Sequence, residues 1–413
     1  MWFQAAAALV LSTLPLLVSS APVTEEAQIH HDAIIIGGGP SGLTVLSGLA
    51  RVRRNALLID SGEYRNGPTR HMHDVIGFDG VTPAYYRWAA RRQLAHYPTV
   101  SMRNGTVTKI EPMQNNTYFR VSFTHAAAGG GRRTTTTTRT ARKVVLATGL
   151  RDLLPETPGI RENWGSGIYW CPWCDGHEHA DQRLGLLAPL GSVPGLVREV
   201  LTLNKDIVAF VNGSDTAEAR ATTDKKSPRW TEYLALHRVA VENRAIVAIE
   251  RLANGANANH DPSLPTAAET DRFRVVLASG EAVERDAFLA EFPNEQASNL
   301  GRDVGVKLVG GRLTADGSKG LVTNIPGVYA VGDANSDNVT NVPHALFSGK
   351  RTAVFLHVQL ERETAERELA ALAKPGAAPP AKAKRSVDLD LRSVWKTMNG
   401  RSDEMLYAGE FDQ

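Results

Sequence analysis

The fold of this chain is decided by the stretch Asp32-Ala33-Ile34-Ile35-Ile36-Gly37-Gly38-Gly39-Pro40-Ser41-Gly42. Its apolar half is typical of a buried strand, and the glycines that follow have the spacing G-x-G-x-x-G. A helical pattern continues from Leu43 to Leu49, and a second apolar strand from Ala56 to Ile59 ends at Asp60. This order of strand, glycine turn, helix, strand and acid predicts a dinucleotide-binding βαβ unit.

Each glycine of the motif has a separate physical task. Gly37 allows the tight turn, Gly39 lets the backbone approach a pyrophosphate, and Gly42 permits close packing of the helix on the strand. The N-terminus of the helix then faces the phosphates, because its free N–H groups and its dipole favour negative charge. Asp60 stands 18 positions after Gly42 and is expected to hold a ribose hydroxyl.

The chain has only two cysteines, Cys171 and Cys174, three positions apart. A pair at this spacing can open and close a small disulfide ring, and beside a dinucleotide site it indicates thiol–disulfide chemistry. A structural bridge and half of a zinc site are the alternatives. A zinc site made of cysteines alone needs two more thiolates, and no histidines stand at regular spacing, so we predict no metal.

Composition and charge exclude one class of partner. The 413 residues suffice for more than one domain, 42% are hydrophobic and 22% are charged, as in ordinary globular proteins. The formal net charge is +2, and no basic stripe carries interleaved aromatic residues. The sequence therefore predicts no nucleic-acid binding.

The N-terminus has the shape of a secretory signal peptide, although the usual positive charges before the apolar run are missing. The run from Ala5 to Val18 ends in the small residues Ser19-Ser20-Ala21. It is shorter than the roughly 20 residues that a membrane span needs. We expect a signal peptide at 1–21, secretion, and no membrane attachment after cleavage. Glycosylation sequons agree with this route, and they begin at Asn104, Asn115, Asn212 and Asn338.

Later segments predict a second unit of the same kind. Arg183–Leu187 is strand-like, Val193–Leu203 is helical, and Asp206–Val211 is strand-like again. The consecutive threonines at 134–138 suit the exposed strand of a hairpin. After Glu361 the composition shifts to Ala, Lys, Pro and Glu, which predicts a flexible tail over 362–413.

Taken in order, the motifs resemble those of the low-molecular-weight thioredoxin reductases over nearly all of 32–360. The shared motifs are GGGPSGL at 37–43, VVLATG at 144–149, CPWCDG at 171–176 and PGVYAVGD at 326–333. The resemblance is sharper to a divergent branch, the FAD-dependent dithiol oxidases of the gliotoxin type. Its additional motifs are EYRN at 63–66, HMH at 71–73 and FVNG at 210–213.

This resemblance implies an α/β fold with two Rossmann-like dinucleotide-binding domains. Each would have three layers, in the order β, β, α, and the second domain would be inserted in the first. The FAD-binding domain would comprise 31–157 and 291–361. A degenerate NADPH-like domain that carries the cysteine pair would span 158–290. The resemblance also implies FAD as the cofactor and a homodimer.

The cofactor contacts of the family carry over to matching positions. His73 falls on a flavin contact, although a surface loop histidine is the alternative interpretation. Val107 falls on the adenine contact, and Asp333 falls on the ribityl contact. The full set of implied FAD contacts is Gly37, Gly39, Pro40, Ser41, Gly42, Asp60, Ser61, Gly62, Glu63, Tyr64, Arg65, Asn66, His73, Val107, Ala147, Thr148, Gly149, Gly332, Asp333, Thr340 and Asn341.

The resemblance also assigns roles around the cysteine pair. Cys174 would lie next to the flavin, and Cys171 would exchange with the substrate. Asp175 matches the acid–base position of the family, although a turn-forming residue is an equal interpretation. His177 is close enough in sequence to be a second acid–base candidate.

The second nucleotide loop decides between a reductase and an oxidase. The segment 188–195 lacks the G-x-G-x-x-G/A spacing, and Pro189 and Pro194 remove amides that a phosphate would need. The segment 211–215 has no basic pair for a 2′-phosphate. These losses predict that NADPH is not used and that electrons pass from FAD to O₂, which becomes hydrogen peroxide.

The predicted function is a secreted, FAD-dependent oxidase that forms a disulfide in a small-molecule dithiol of secondary metabolism. Two alternatives remain: an NADPH-dependent thioredoxin or disulfide reductase, and a non-catalytic protein that binds flavin and thiols. Trp170 and Trp173 either make the substrate pocket apolar or belong to the core.

Overall fold

The computed structural model describes residues 28–127, 134–256 and 264–373. The expected signal peptide at 1–21 and most of the expected tail lie outside these residues. Within the described residues, no helix combines the length and the apolar character that a membrane span requires.

The first domain is built on a parallel sheet that starts with the predicted βαβ unit. Strand β1 (His31–Ile36) pairs with β2 (Ala56–Asp60) and with β6 (Thr134–Leu146), and helix α1 (Pro40–Arg51) connects β1 to β2. The apolar runs of these strands are buried because the sheet is covered on both faces. The other elements before the insertion are α2 (Pro83–Leu94), β3 (Val100–Asn104), β4 (Thr106–Met113), β5 (Tyr118–Ala126) and β7 (Leu150–Asp152).

Strand β6 belongs to two layers of this domain. Its C-terminal half lies between β1 and β19 (Val328–Ala330) in the parallel sheet. Its N-terminal half pairs antiparallel with β5, which pairs with β4, and the threonines at 134–138 are mostly exposed there, as predicted. Helix α9 (Val342–Leu372) packs on α1 on the opposite face. The result is the predicted ββα layering.

Two short strands connect the domains. Strand β7 leads into the inserted domain, and β16 (Asn294–Gln296) returns from it and pairs antiparallel with β7. The inserted domain has a five-stranded parallel sheet and a three-stranded antiparallel sheet. The predicted fold class is confirmed.

The remaining elements are α3 (Ile160–Asn163), β8 (Ile168–Tyr169), α4 (Pro172–Asp175), β9 (Leu184–Leu187), α5 (Val193–Val200), β10 (Ile207–Phe210), α6 (Ala217–Lys226), α7 (Trp230–Leu236), β11 (Ala240–Glu242), β12 (Ile246–Ala253), β13 (Arg272–Leu277), β14 (Ala282–Arg285), β15 (Ala287–Ala290), α8 (Leu300–Asp303), β17 (Leu308–Val309) and β18 (Arg312–Leu313).

The end of the first domain differs from the sequence-based prediction. Helix α9 continues to Leu372, so residues 362–372 are helical where the composition predicts a flexible tail. Alanine, glutamate, leucine and arginine are good helix formers, which favours this extension. Lys143 and Arg142 on β6 also donate hydrogen bonds to Glu363, at 2.5 and 3.0 Å, and hold the added turns against the sheet.

Candidate active site

The glycine turn after β1 has the geometry that a bound pyrophosphate requires. Gly37 has a φ of +110°, and a Cβ there would lie 2.2 Å from the carbonyl oxygen of Ala147. A Cβ at Gly42 would lie 2.0 Å from the Gly37 carbonyl oxygen, so α1 packs closely on the turn. A Cβ at Gly39 would meet nothing within 4 Å. The turn therefore leaves an open cradle at Gly39, beside the N-terminus of α1.

A cavity of about 530 Å³ extends from this cradle to Cys174 and is lined by both domains. Its volume lies within the range of pockets that hold small molecules and cofactors. The open cradle and the cysteine at the far end fit FAD, with its pyrophosphate at the glycines. The implied FAD contacts that line the cavity are Gly37, Gly39, Pro40, Ser41, Ser61, Glu63, Tyr64, Arg65, Asn66, His73, Val107, Ala147, Thr148, Gly149, Asp333, Thr340 and Asn341.

Gly42, Gly62 and Gly332 are implied contacts that do not line the cavity. Gly42 and Gly332 lie behind the wall, where they permit close packing. A Cβ at Gly332 would lie 2.7 Å from the Ser41 hydroxyl oxygen. Gly62 has a φ of +84° and shapes the loop after β2. These glycines support the wall and do not form its surface.

Asp60 is a fourth implied contact that does not line the cavity. Its carboxylate is only 2% exposed and accepts hydrogen bonds from the Tyr64 hydroxyl at 2.5 Å, the Gly62 N–H at 3.1 Å and the Arg91 guanidinium. These partners hold the side chain away from the cavity lining. Asp60 therefore fixes the loop after β2, and Glu63 is the next acid along the chain that lines the cavity.

Arg65 connects three parts of the cavity wall. Its guanidinium donates to both carboxylate oxygens of Asp152, at 2.9 and 2.7 Å, and to Asp333 at 3.2 Å. It also lies over the ring of Trp170, 5.5 Å from the centroid. Burial raises the pKa of Asp333, although Arg65 opposes the shift. Asp152 lies in no motif, so the sequence offered no reason to select it.

Cys171 and Cys174 form a disulfide at the N-terminus of the short helix α4. The N–H groups of Cys174 and Asp175 both donate to the Cys171 carbonyl oxygen, at 3.1 and 3.2 Å. Cys174 lines the cavity, and Cys171 does not. This placement agrees with the implied roles, in which Cys174 meets the cofactor and Cys171 meets the substrate.

The two tryptophans of the motif have different environments. Trp170 lines the cavity and stacks on Trp164, with ring centroids 4.8 Å apart. Trp173 is 70% exposed. Trp170 is therefore part of the cavity wall, and Trp173 is a surface aromatic residue rather than a core residue.

Asp175 follows Cys174 directly in the chain and also lines the cavity. Burial raises the pKa of its carboxyl to about 8, and the negative charges of Glu269 and Glu178 add to the effect. At neutral pH the carboxyl holds a proton that it can give to a departing sulfur. His177 is exposed and does not line the cavity, because the turn after α4 carries it to the surface. The structure therefore does not bring His177 to the cavity.

His73 lines the cavity, as the cofactor interpretation requires. Its Nε2 lies 3.5 Å from a carboxylate oxygen of Glu178, and its Nδ1 lies 3.3 Å from one of Asp79. The sequence identified the histidine and missed both acids. Glu178 comes from the inserted domain, and no local pattern links it to His73.

A buried group of charges, which we call the Arg70 cluster, joins the loop after β2 to the inserted domain. Arg70 donates to the two carboxylate oxygens of Asp271, at 2.8 and 3.0 Å, and to Glu269, and Arg251 also donates to Asp271. Ligand atoms of His179, Glu269 and Asp271 lie within 4.8 Å of one another, close enough to hold a metal ion. Because Arg70 already neutralises both carboxylates, we interpret the cluster as an interdomain contact.

Two groups at the second nucleotide loop have hydrogen-bond partners within the protein. Leu190 is fully buried, and its N–H donates to the Ser214 hydroxyl at 3.0 Å. Arg220 is the first basic residue after β10, and it donates two hydrogen bonds of 2.5 Å to Asp215. A backbone amide and a basic side chain that could meet a nucleotide phosphate are therefore already occupied.

The chain is similar to known proteins over most of its length. Residues 31–349 match the family described as pyridine nucleotide-disulphide oxidoreductase. A probable thioredoxin reductase of Arthroderma benhamiae is 44% identical over 362 residues, which cover 86% of each chain. Thioredoxin reductase tcpT of Claviceps purpurea is 28% identical and covers 80% of this chain and 94% of that protein. The crystal structure of HlmI is 29% identical, with a TM-score of 0.65, and covers 85% of this chain and 98% of that chain.

Proposed function

The chain belongs to the pyridine nucleotide-disulphide oxidoreductase family, and within it we propose that the protein is an FAD-dependent dithiol oxidase of the gliotoxin type. The reaction is R(SH)₂ + O₂ → RS₂ + H₂O₂, in which the dithiol loses two electrons and oxygen gains them. FAD, when bound, takes the electron pair from the cysteines and passes it to oxygen. The residues that would hold it line the cavity from Gly39 to His73 and Asn341.

The bonded groups at the second nucleotide loop are the observation that carries this proposal. An NADPH-dependent enzyme needs free amides for the pyrophosphate and a free basic group for the 2′-phosphate. Here the Leu190 amide is bonded to Ser214, and Arg220 is bonded to Asp215. Substrate thiols then remain as the source of electrons, and oxygen is the acceptor.

The first chemical step opens the cysteine pair. One thiolate of the substrate attacks the Cys171 sulfur, a bond forms between them, and the Cys171–Cys174 bond breaks. Asp175 donates its proton to the departing Cys174 sulfur, which makes that sulfur a better leaving group. Since the pKa of Asp175 is about 8, the proton is available at neutral pH.

The second step releases the product. The remaining thiol of the substrate gives its proton to Asp175 and attacks the substrate sulfur that is bound to Cys171. The substrate leaves as a disulfide. The electron pair stays on the Cys171 thiolate and the Cys174 thiol, and Asp175 regains its proton. Because Cys174 faces the cavity, the reduced pair is placed beside the cofactor.

A pH series tests the role of Asp175. We expect the rate of pair reduction by dithiol to fall as the pH rises through about 8, because Asp175 then loses its proton. Asp175→Asn should lower the rate by about a hundredfold and remove this decline. Anaerobic stopped-flow absorbance measures the rate, and His177→Asn is the matched control at the exposed neighbour. A wild-type profile in Asp175→Asn would contradict the role.

Two anaerobic incubations test the proposed function. Purified yellow protein is mixed with NADPH in one and with dithiothreitol in the other. We expect dithiothreitol alone to bleach the flavin, and air to restore the colour with formation of hydrogen peroxide. Rapid bleaching by NADPH would overturn the oxidase proposal.

An NADPH-dependent disulfide reductase is the second candidate, because the relative from Arthroderma benhamiae carries the name thioredoxin reductase. Bleaching by NADPH would support it. A flavin that responds to neither reductant would instead support a non-catalytic protein that binds flavin and thiols.

We also propose that the enzyme is secreted and works as a homodimer on a small-molecule dithiol. The apolar run before Ser19 and the exposed sequon at Asn115 support secretion. The exposed apolar residues Phe347, Val354 and Val358 of α9 support a dimer contact.

A further inference from the structure

The proton balance of the proposed reaction requires proton transfer between the site and solvent, which Asp175 alone does not provide. In the proposed function, the substrate loses one proton when its first thiol becomes a thiolate, and oxygen needs one more when it becomes hydrogen peroxide. One proton must therefore leave the site in the first half of the cycle, and one must enter in the second. With cofactor and substrate in the cavity, protein groups have to carry it.

Glu178 is placed to take part in this transfer. It follows Asp175 by three residues in the turn after α4 and is only 5% exposed. Its carboxylate accepts a hydrogen bond of 2.5 Å from the Thr266 hydroxyl, and Nε2 of His73 lies 3.5 Å from the same oxygen. A buried carboxylate with an imidazole beside it can exchange a proton with that ring.

His73 extends the connection to solvent. Its side chain is 10% exposed, and its Nδ1 lies 3.3 Å from Asp79, whose side chain is 45% exposed. The N–H of Asp74 donates to Asp79 at 3.0 Å and holds it in place. The two ring nitrogens of His73 therefore face a buried acid on one side and a solvent-exposed acid on the other.

The Tyr169 hydroxyl adds an independent observation. It is buried, and it has no hydrogen-bond partner among the described residues. Burial raises its pKa, and the negative charges of Asp175 and Glu178 add to the effect. A buried hydroxyl without a partner marks a place where a water molecule or a transferred proton completes the hydrogen bonding.

Other charged groups near this line are already paired. Glu269 and Asp271 are bound by Arg70, and His71 and His179 lie 3.5 and 3.7 Å from Glu269. The Arg70 cluster therefore supplies fixed charge beside the line, and Glu178 is the acid that faces His73.

We propose that Glu178 and His73 form a proton path from Asp175 to Asp79 at the surface, with the Tyr169 hydroxyl beside its inner end. The proposal rests on the proposed function for its purpose, since dithiol oxidation moves one proton each way per cycle. Asp175 remains the acid that touches sulfur. Glu178 and His73 act through it, as positioning and relay residues.

The experiment follows proton release and opening of the cysteine pair separately. Protein is mixed anaerobically with dithiothreitol in weak buffer that contains a pH-indicator dye. Samples are quenched with iodoacetamide, which alkylates the free thiols of an opened pair. Mass spectrometry then measures the added mass, so opening of the cysteine pair is followed without use of the flavin absorbance. The variants are Glu178→Gln and His73→Gln, Glu178→Asp is the conservative replacement, and His96→Gln is the control at an exposed histidine.

We expect Glu178→Gln and His73→Gln to slow proton release and pair opening by about tenfold or more, because a transfer step is lost. The solvent deuterium isotope effect on opening should rise, since proton transfer becomes rate-limiting. Glu178→Asp should recover part of the rate, and His96→Gln should match wild type. A purely structural role would lower the melting temperature without changing the isotope effect, and that result would overturn the path.

This outcome is separable from that of the proposed function. Bleaching of the wild-type flavin by NADPH would refute the oxidase, yet slow pair opening in the variants would still support the path. Wild-type opening rates and isotope effects in both variants would refute the path, even where dithiothreitol bleaches the flavin as proposed.

Discussion

Replacement of Cys171 by serine is expected to lower dithiol turnover by about a thousandfold or more, while the FAD content stays that of wild type. The loss is large because no other cysteine in the chain can accept the attack of the substrate. The cofactor should remain, because Cys171 does not line the cavity and serine has nearly the same size. Oxygen consumption with dithiothreitol measures turnover, and the flavin absorbance of the purified protein measures FAD content.

Cys174→Ser is the matched comparison. It should be equally inactive, but the two variants should differ in colour. Cys171→Ser keeps a thiol at the cavity wall, and its thiolate should give a long-wavelength charge-transfer absorbance with the flavin. Cys174→Ser keeps the thiol that lies outside the lining and should lack this band. A band in Cys174→Ser alone would reverse the assigned roles of the two cysteines.

Gly39→Val is expected to give a folded protein that has lost FAD, with cofactor affinity reduced by about a hundredfold or more, or roughly 3 kcal/mol. The backbone at Gly39 has a φ of −72°, and a Cβ there meets nothing within 4 Å, so valine fits the protein itself. The same side chain would occupy the cradle that the pyrophosphate needs. Flavin absorbance per protein measures the loss, and circular dichroism checks the fold.

Two further glycines make this result specific. Gly42→Ala should destabilise the domain by roughly 1–3 kcal/mol, because its Cβ would lie 2.0 Å from the Gly37 carbonyl oxygen. Gly195→Ala, in α5, has open space and should be neutral or stabilising by up to about 1 kcal/mol. Full FAD content in Gly39→Val would show that the pyrophosphate does not lie at this turn.

The sequence predicted what depends on neighbouring residues. The glycine turn and the cysteine pair are local motifs whose spacing follows from backbone geometry, so their positions could be read directly. Asp60 could not be placed by the same method. Spacing puts it at the end of β2, but the direction of its side chain depends on Arg91 and Tyr64. The position of His177 could not be predicted for a similar reason, because proximity in sequence does not decide which side of a turn faces the cavity.

Contacts between residues of the two domains could not be predicted from the sequence. Arg70 and its acids Glu269 and Asp271 are separated by 199 and 201 residues, and no periodicity connects them. The same holds for His73 and Glu178, which the fold alone brings together. Helix α9 extends into the predicted tail because contacts of Arg142 and Lys143 with Glu363 add to ordinary helix propensity.

Because the Arg70 cluster is buried, dissolved salt should weaken it little. The side chains of Glu269 and Asp271 are 11% and 0% exposed, whereas the surface pair of Arg229 and Glu232 lies open to counterions. Burial opposes the charged form of both acids, but hydrogen bonds from His71 to Glu269 and from Arg70 to Asp271 keep each pKa low. Their contribution to stability is therefore lost only when the pH falls through these lowered values. The position of the cysteine pair against the cavity is thus insulated from changes in the ionic strength of the surroundings.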